Sequence, residues 1–175
     1  CCSPEFLIAT GRSINKERMK DQYVVLRAMA FLMLHRGEFK DIPALQYRGD
    51  IDDFLARFMV YVNDNAPEKL IVDYENLFIR CMQISYDLLG ENGFRFSGNG
   101  IRRPINMPLF EALSYLFSFV PEKIDYTWAS RLILDIESVK EEFDDSRYFS
   151  GNIDSTTSVS FRFDRMDKII NRIQL

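Results

Sequence analysis

Residues 18–37, RMKDQYVVLRAMAFLMLHRG, constrain this chain most, because the stretch is apolar on too many sides to lie on a surface. Met19, Tyr23, Leu26, Ala30, Met33 and Leu34 recur at the three-and-four spacing of one helix face. Val24, Met29 and Phe31 widen that face until little but Arg18, Lys20, Asp21 and Arg27 is polar. Such a helix must be covered from several sides. At 1.5 Å per residue it spans roughly 30 Å, the diameter of a small domain, so the pattern predicts an all-α domain packed around residues 16–36.

The rest of the chain supplies the covering helices. Ser3-Pro4 reads as an N-cap followed by proline at the first helical position, opening a short helix that Gly11 ends. Ser13 or Asn15 can cap the central helix. Asp50 caps the cleanest amphipathic segment, with Ile51, Phe54, Leu55, Phe58, Met59 and Val62 inward and Asp52, Asp53 and Arg57 outward. A helix from Asn65-Ala66-Pro67 to Gly90 carries Tyr74, Phe78, Cys81 and Ser85 on one stripe. Asn106 caps residues 108–120, and Asp125 or Thr127 opens a helix with Trp128, Leu132, Ile136, Val139 and Phe143 inward. The polar SGNIDSTTS reads as a linker before a last helix at 158–173. That makes six or seven helices in a single domain over residues 1–175, with no strand-length alternation and no internal repeat.

Composition narrows the function. With 175 residues, 47% of them apolar, the chain can bury a core without disulfide or metal staples. Its net charge of −4 exerts no global pull toward nucleic acid or anionic membrane, so an anion site must be local. Cys1, Cys2 and Cys81 make no disulfide framework and His35, the one histidine, makes no zinc set, which points to a reduced, cytoplasmic protein and implies no cofactor. No apolar run reaches the roughly 18 residues of a membrane span. The first residue is not methionine, which suggests a piece of a longer chain.

Two sets of residues are candidate contacts. Arg18, Asp21 and Arg27 lie on the polar side of the central helix, where they either pair with neighbouring groups or, through the guanidinium fork of Arg27, meet a phosphate or another domain. The segment 90–110 packs Gly90, Gly93, Gly98 and Gly100 with Arg95, Arg102 and Arg103 ahead of the helix capped by Asn106. Glycines let a backbone approach an anion, arginines neutralise it and a helix N-terminus offers free N–H groups, so this loop either cradles phosphate or only connects two helices. It matches neither a Walker motif nor a dinucleotide fingerprint. The acids Asp52-Asp53 and Glu141, Glu142, Asp144 and Asp145 are better explained by helix-dipole preference and a solvated face than as metal ligands.

The motifs RMKDQYVVLRAMAF, IDDFLARFM, LLGENGFRF, RRPINMPLFEAL and FRFDRMDKIINRI, in that order, resemble the second, helical half of the domain of unknown function 262 family, which includes GmrSD-like and SspE-like phage-defence nucleases. The likeness covers nearly the whole chain. It implies a non-catalytic helical regulatory and docking domain of a DNA-targeting, restriction-like bacterial protein, packed on an N-terminal nucleotide-hydrolysing domain and possibly on DNA. The Asp-Gly-Gln-Gln-Arg signature of that neighbouring domain and the histidines of an HNH nuclease do not occur here, so no catalytic residue carries over. Two alternatives stand beside this expectation. One is a helical protein-interaction module unrelated to nucleic acid. The other is a HEPN-like ribonuclease, whose Arg-x(4–6)-His spacing Arg27 and His35 exceed by one residue; His35 at a helix C-terminus reads more simply as a charged partner of the dipole.

Overall fold

A computed structural model describes residues 3–14, 19–96, 102–123, 125–144 and 151–173. These residues form seven α-helices and no strand: α1 (Pro4–Ala9), α2 (Lys20–His35), α3 (Ile51–Asp64), α4 (Glu68–Leu89), α5 (Met107–Phe117), α6 (Tyr126–Asp144) and α7 (Thr156–Ile173), with short 3₁₀ turns at Pro43–Leu45 and Gly90–Asn92. The all-α fold expected from the periodicity is therefore found. None of the helices is long and apolar enough to cross a membrane.

Local chemistry sets most of the helix starts. The Ser3 hydroxyl accepts from the Phe6 N–H at 3.2 Å with Pro4 at the first position. Asp50 accepts from the Asp53 N–H at 3.0 Å, Asn106 from the Leu109 N–H at 2.9 Å, and Asp125 from the Trp128 N–H at 2.8 Å. The start of α2 departs from expectation. Ser13 does not cap it: its hydroxyl donates to the Thr10 carbonyl at 2.6 Å and accepts from the Arg95 guanidinium. Asn15 and Arg18 lie outside the described residues. The helix begins at Lys20 after Met19, which takes a left-handed φ of 55° and offers no side-chain cap.

Two helices share the centre. In α5 every residue from Pro108 to Phe117 is buried, because α2, α4 and α7 all pack against it. Its Phe110 sits among Phe6, Phe78 and Phe94, with ring centroids 6.1, 6.3 and 4.3 Å away. In α2 the buried stripe runs through Val24, Ala28 and Phe31, and Phe31 meets Tyr47, Phe54 and Phe163 at 5.2 to 5.6 Å. These aromatic contacts, each favourable beyond the area it buries, join α1, α4 and α5 on one side and α2, α3 and α7 on the other. The expected inward face of α2 is rotated in part. Met33 and Ala30 are buried, but Met19 is 61% and Tyr23 38% exposed. On α3 the outlier is Met59, expected inside and 44% exposed.

Candidate functional site

Glu111, fully buried midway along α5, is a charged group with no access to solvent. A carboxylate there must be compensated, and two guanidiniums do so. Arg27 Nε of α2 donates to Glu111 Oε1 at 2.5 Å, and Arg162 Nη2 of α7 donates to Oε2 at 3.2 Å. Arg27 then turns its fork on Asp154, donating from Nη2 to Oδ1 at 2.7 Å and from Nη1 to Oδ2 at 3.4 Å. Arg162 also donates to the Ile153 carbonyl, and the Tyr47 hydroxyl donates to the Asp154 carbonyl. Two cations thus face two carboxylates in a cluster that ties α2, α5 and α7 to the segment ahead of α7.

The electrostatics follow from enclosure. Burial works to lower the Arg27 guanidinium, but the Glu111 and Asp154 carboxylates outweigh it and raise it above its ordinary value. Burial lowers Arg162 against the pull of Glu111, and burial pushes the Glu111 carboxyl up against both guanidiniums. Removing one member of such a set leaves the others charged and uncompensated, whereas a full apolar replacement is far less costly. The polar SGNIDSTTS segment is accordingly more than a spacer, since it supplies Asp154 and the Ile153 carbonyl.

His35 lies at the edge of this cluster. Its ring stacks on Phe163 at 3.6 Å and 7°, and its Nε2 is buried without a hydrogen-bond partner. Burial and the nearby Arg162 cation lower its pKa to about 3, so the imidazole is neutral at physiological pH. The expected role of His35 as a cationic partner of the helix dipole is therefore corrected: burial against the Phe163 ring and the charge of Arg162 outweigh the terminal carbonyls.

The expected arginine loop is taken up by the protein itself. Arg95 is buried and donates to the Thr10 carbonyl at 3.0 Å, the Glu91 carbonyl at 3.1 Å, the Arg103 carbonyl and the Ser13 hydroxyl, fastening α1 to the loop. Arg102 pairs with Glu91 at 2.8 Å beside Gly11, whose φ of +57° disfavours a side chain and where an added Cβ would displace that guanidinium. Arg103 pairs with Asp144 and lies over the Phe96 ring, 5.4 Å from its centroid. Asn106 spends its carbonyl oxygen on the cap of α5. Gly98 and Gly100 lie outside the described residues. Arg27 engages Glu111, Asp154 and Tyr23, whereas Arg95 engages Thr10, Arg102 engages Glu91 and Arg103 engages Asp144, so the two expected sets meet different parts of the fold. Asp21 is buried in the first turn of α2. Among the described residues no three His, Cys, Asp or Glu side chains gather as a metal site.

One open groove is apolar, whereas a smaller cleft of about 430 Å³ between α6 and α7 is lined by Asp135, Arg165, Lys168 and Arg172. Between α2, α3 and α4 runs a groove of about 860 Å³, floored by Tyr23, Leu26 and Met29 and walled by Met59, Val62 and Ile71. Four of the seven methionines, Met19, Met29, Met33 and Met59, line it. Tyr23 links the groove to the buried cluster, for Arg27 donates to its hydroxyl at 3.3 Å and lies over its ring.

Sequence reasoning missed Glu111 and Arg162, although signals for both exist. Glu111 is the lone charge in LFEALSYLF, and Arg162 stands three residues after Val159 and four before Met166, on the buried stripe of α7. No family model matches the chain, and no curated protein and no solved structure is significantly similar to it.

Proposed function

We propose that this chain is a non-catalytic helical docking domain whose working surface is the methionine-lined groove between α2, α3 and α4. Methionine is unbranched and polarizable, so a surface rich in it adapts to apolar partners. The observation that carries the proposal is the concentration of four methionines on one open groove, while the charged side chains Arg27, Glu111 and Arg162 are spent on one another inside the fold. An open apolar surface of this kind is what a partner's helix covers.

The motif resemblance names a partner. In a DNA-targeting defence protein the groove would receive the nucleotide-hydrolysing domain and relay its state to an effector. A titration of the chain with such a domain, followed by calorimetry, should give binding that Met29→Lys with Met59→Lys abolishes while the melting temperature holds. Unchanged binding by that variant would remove the groove from the function.

A second reading, an interaction module without nucleic acid, draws on Arg95, Arg102 and Arg103 being engaged with carbonyls and carboxylates. Duplex DNA separates the two. If Arg102 and Arg103 reach phosphates, Arg102→Ala with Arg103→Ala weakens DNA binding and flattens its salt dependence, since each lost phosphate contact removes about one released counterion from the slope. If the chain ignores DNA at low salt, the module reading holds.

A further inference from the structure

Helical spacing sets three exposed carboxylates beside the wall residues of the groove. Glu68 and Glu75 lie three residues before and four after the wall residue Ile71, so helical geometry puts them along the same edge of α4. Asp52 lies two turns before Met59, on the same stripe of α3. All three are exposed, and none has an ion-pair partner among the described residues. On the same two helices, Asp53 and Asp73 are paired, with Arg57 and Lys69. Asp64 and Asp87 likewise show no ion pair among the described residues but lie on other faces of α3 and α4, so position rather than pairing sets Asp52, Glu68 and Glu75 apart.

The floor has the length and spacing of a helix seat. From Met19 to Met33 along α2 is about 21 Å at 1.5 Å per residue, the length of about four helical turns. Met19, Tyr23, Leu26, Met29 and Met33 offer apolar steps at three- and four-residue intervals, the same intervals at which an amphipathic helix presents its anchors. Lys20 is the only cation among the lining residues and sits at one end.

We propose that the occupant of the groove is a basic amphipathic helix of about four turns, its apolar stripe on the methionines and its flanking lysines or arginines against Asp52, Glu68 and Glu75. This rests on the docking function above and adds the chemistry of the partner. Charge at the rim would govern rate, salt dependence and partner choice, with the apolar floor holding the complex together.

The test uses two dye-labelled sixteen-residue peptides with the same leucine stripe, one flanked by lysines and one by glutamates, titrated into the full chain by fluorescence anisotropy. The basic peptide should bind at least about tenfold tighter than the acidic one, with an advantage that shrinks as salt is raised. Glu68→Lys with Glu75→Lys should reverse the preference while leaving the helical far-UV spectrum intact. Met59→Lys should weaken both peptides, which ties binding to the groove. Equal binding of the two peptides, unaltered by the charge reversal but lost in Met59→Lys, would overturn the basic-helix assignment and leave the docking function standing. If neither peptide binds, or Met59→Lys has no effect, both fall.

Discussion

On α2, Arg27 is 3% exposed and closed in with Glu111, Arg162 and Asp154, while one and two turns nearer the helix start Tyr23 and Met19 stand in an open groove at 38% and 61% exposure. A permanently charged cation is inside and two large, largely apolar side chains are outside. The difference lies in what each part meets. The Arg27 part meets α5 and α7, and α5 is walled in by α2, α4 and α7, so any charge there must find its counter-charge within the protein. The groove part meets only the edges of α3 and α4, which stand apart and leave about 860 Å³ between them. Neighbouring helices, more than residue polarity, decide which part of α2 is dry.

Several substitutions bear on that contrast. The largest effect belongs to Glu111→Ala, which leaves two guanidiniums buried without their shared carboxylate and should cost about 3–5 kcal/mol in urea unfolding. Replacing the set together, Arg27→Met, Glu111→Leu and Arg162→Met, should recover most of that loss, because Asp154 can still reach water. A triple variant no more stable than Glu111→Ala would mean that the cluster holds the helices by more than charge balance.

Acid should act next, through His35. The folded imidazole titrates at about 3 and the unfolded one near 6.5, so between those values the unfolded chain holds a proton that the folded chain lacks. The stability His35 contributes is complete above pH 6.5 and is lost as pH falls, reaching about 2 kcal/mol by pH 5 at 1.4 kcal/mol per unit. His35→Phe should flatten that part of the pH profile, as read by denaturation at pH 7 and pH 5.

Tyr23 belongs to both parts, so Tyr23→Phe should cost about 0.5–1 kcal/mol, the net worth of one ordinary hydrogen bond, because the contact is long at 3.3 Å. Met59→Ser should be the mildest, within about 0.5 kcal/mol by thermal melting, because the side chain is already 44% exposed. A large loss from Met59→Ser would show that the groove wall is core after all.

Much of this was legible in the sequence, and the limit has a physical cause. Capping residues act locally, so Ser3, Asp50, Asn106 and Asp125 marked their helix starts. Periodicity located Phe54, Phe58, Tyr74, Phe78 and Phe163 inside. It failed for Met19, Tyr23 and Met59, because an apolar stripe is the same whether a neighbour covers it or not. It failed for Arg27 in the opposite sense: a lone arginine reads as a polar side, and only the approach of Glu111 and Asp154 from remote parts of the chain makes it an interior residue. The loop arginines were visible, while their carbonyl and carboxylate partners, Thr10, Glu91 and Asp144, depend on how α1 and α6 close over the loop.

The spacing of the charged cluster along the chain also sets when it can form. Arg27 meets Glu111 across 84 residues and Asp154 across 127, and Arg162 meets Glu111 across 51. During synthesis α2 and α5 emerge before Asp154 and Arg162 exist, so an early docking of those two helices buries Glu111 with half of its eventual compensation. Non-local contacts of this kind are slow to close. The first part of the chain therefore gains little from settling before α7 arrives, and folding should proceed as one late, cooperative event in which the C-terminal helix commits the rest.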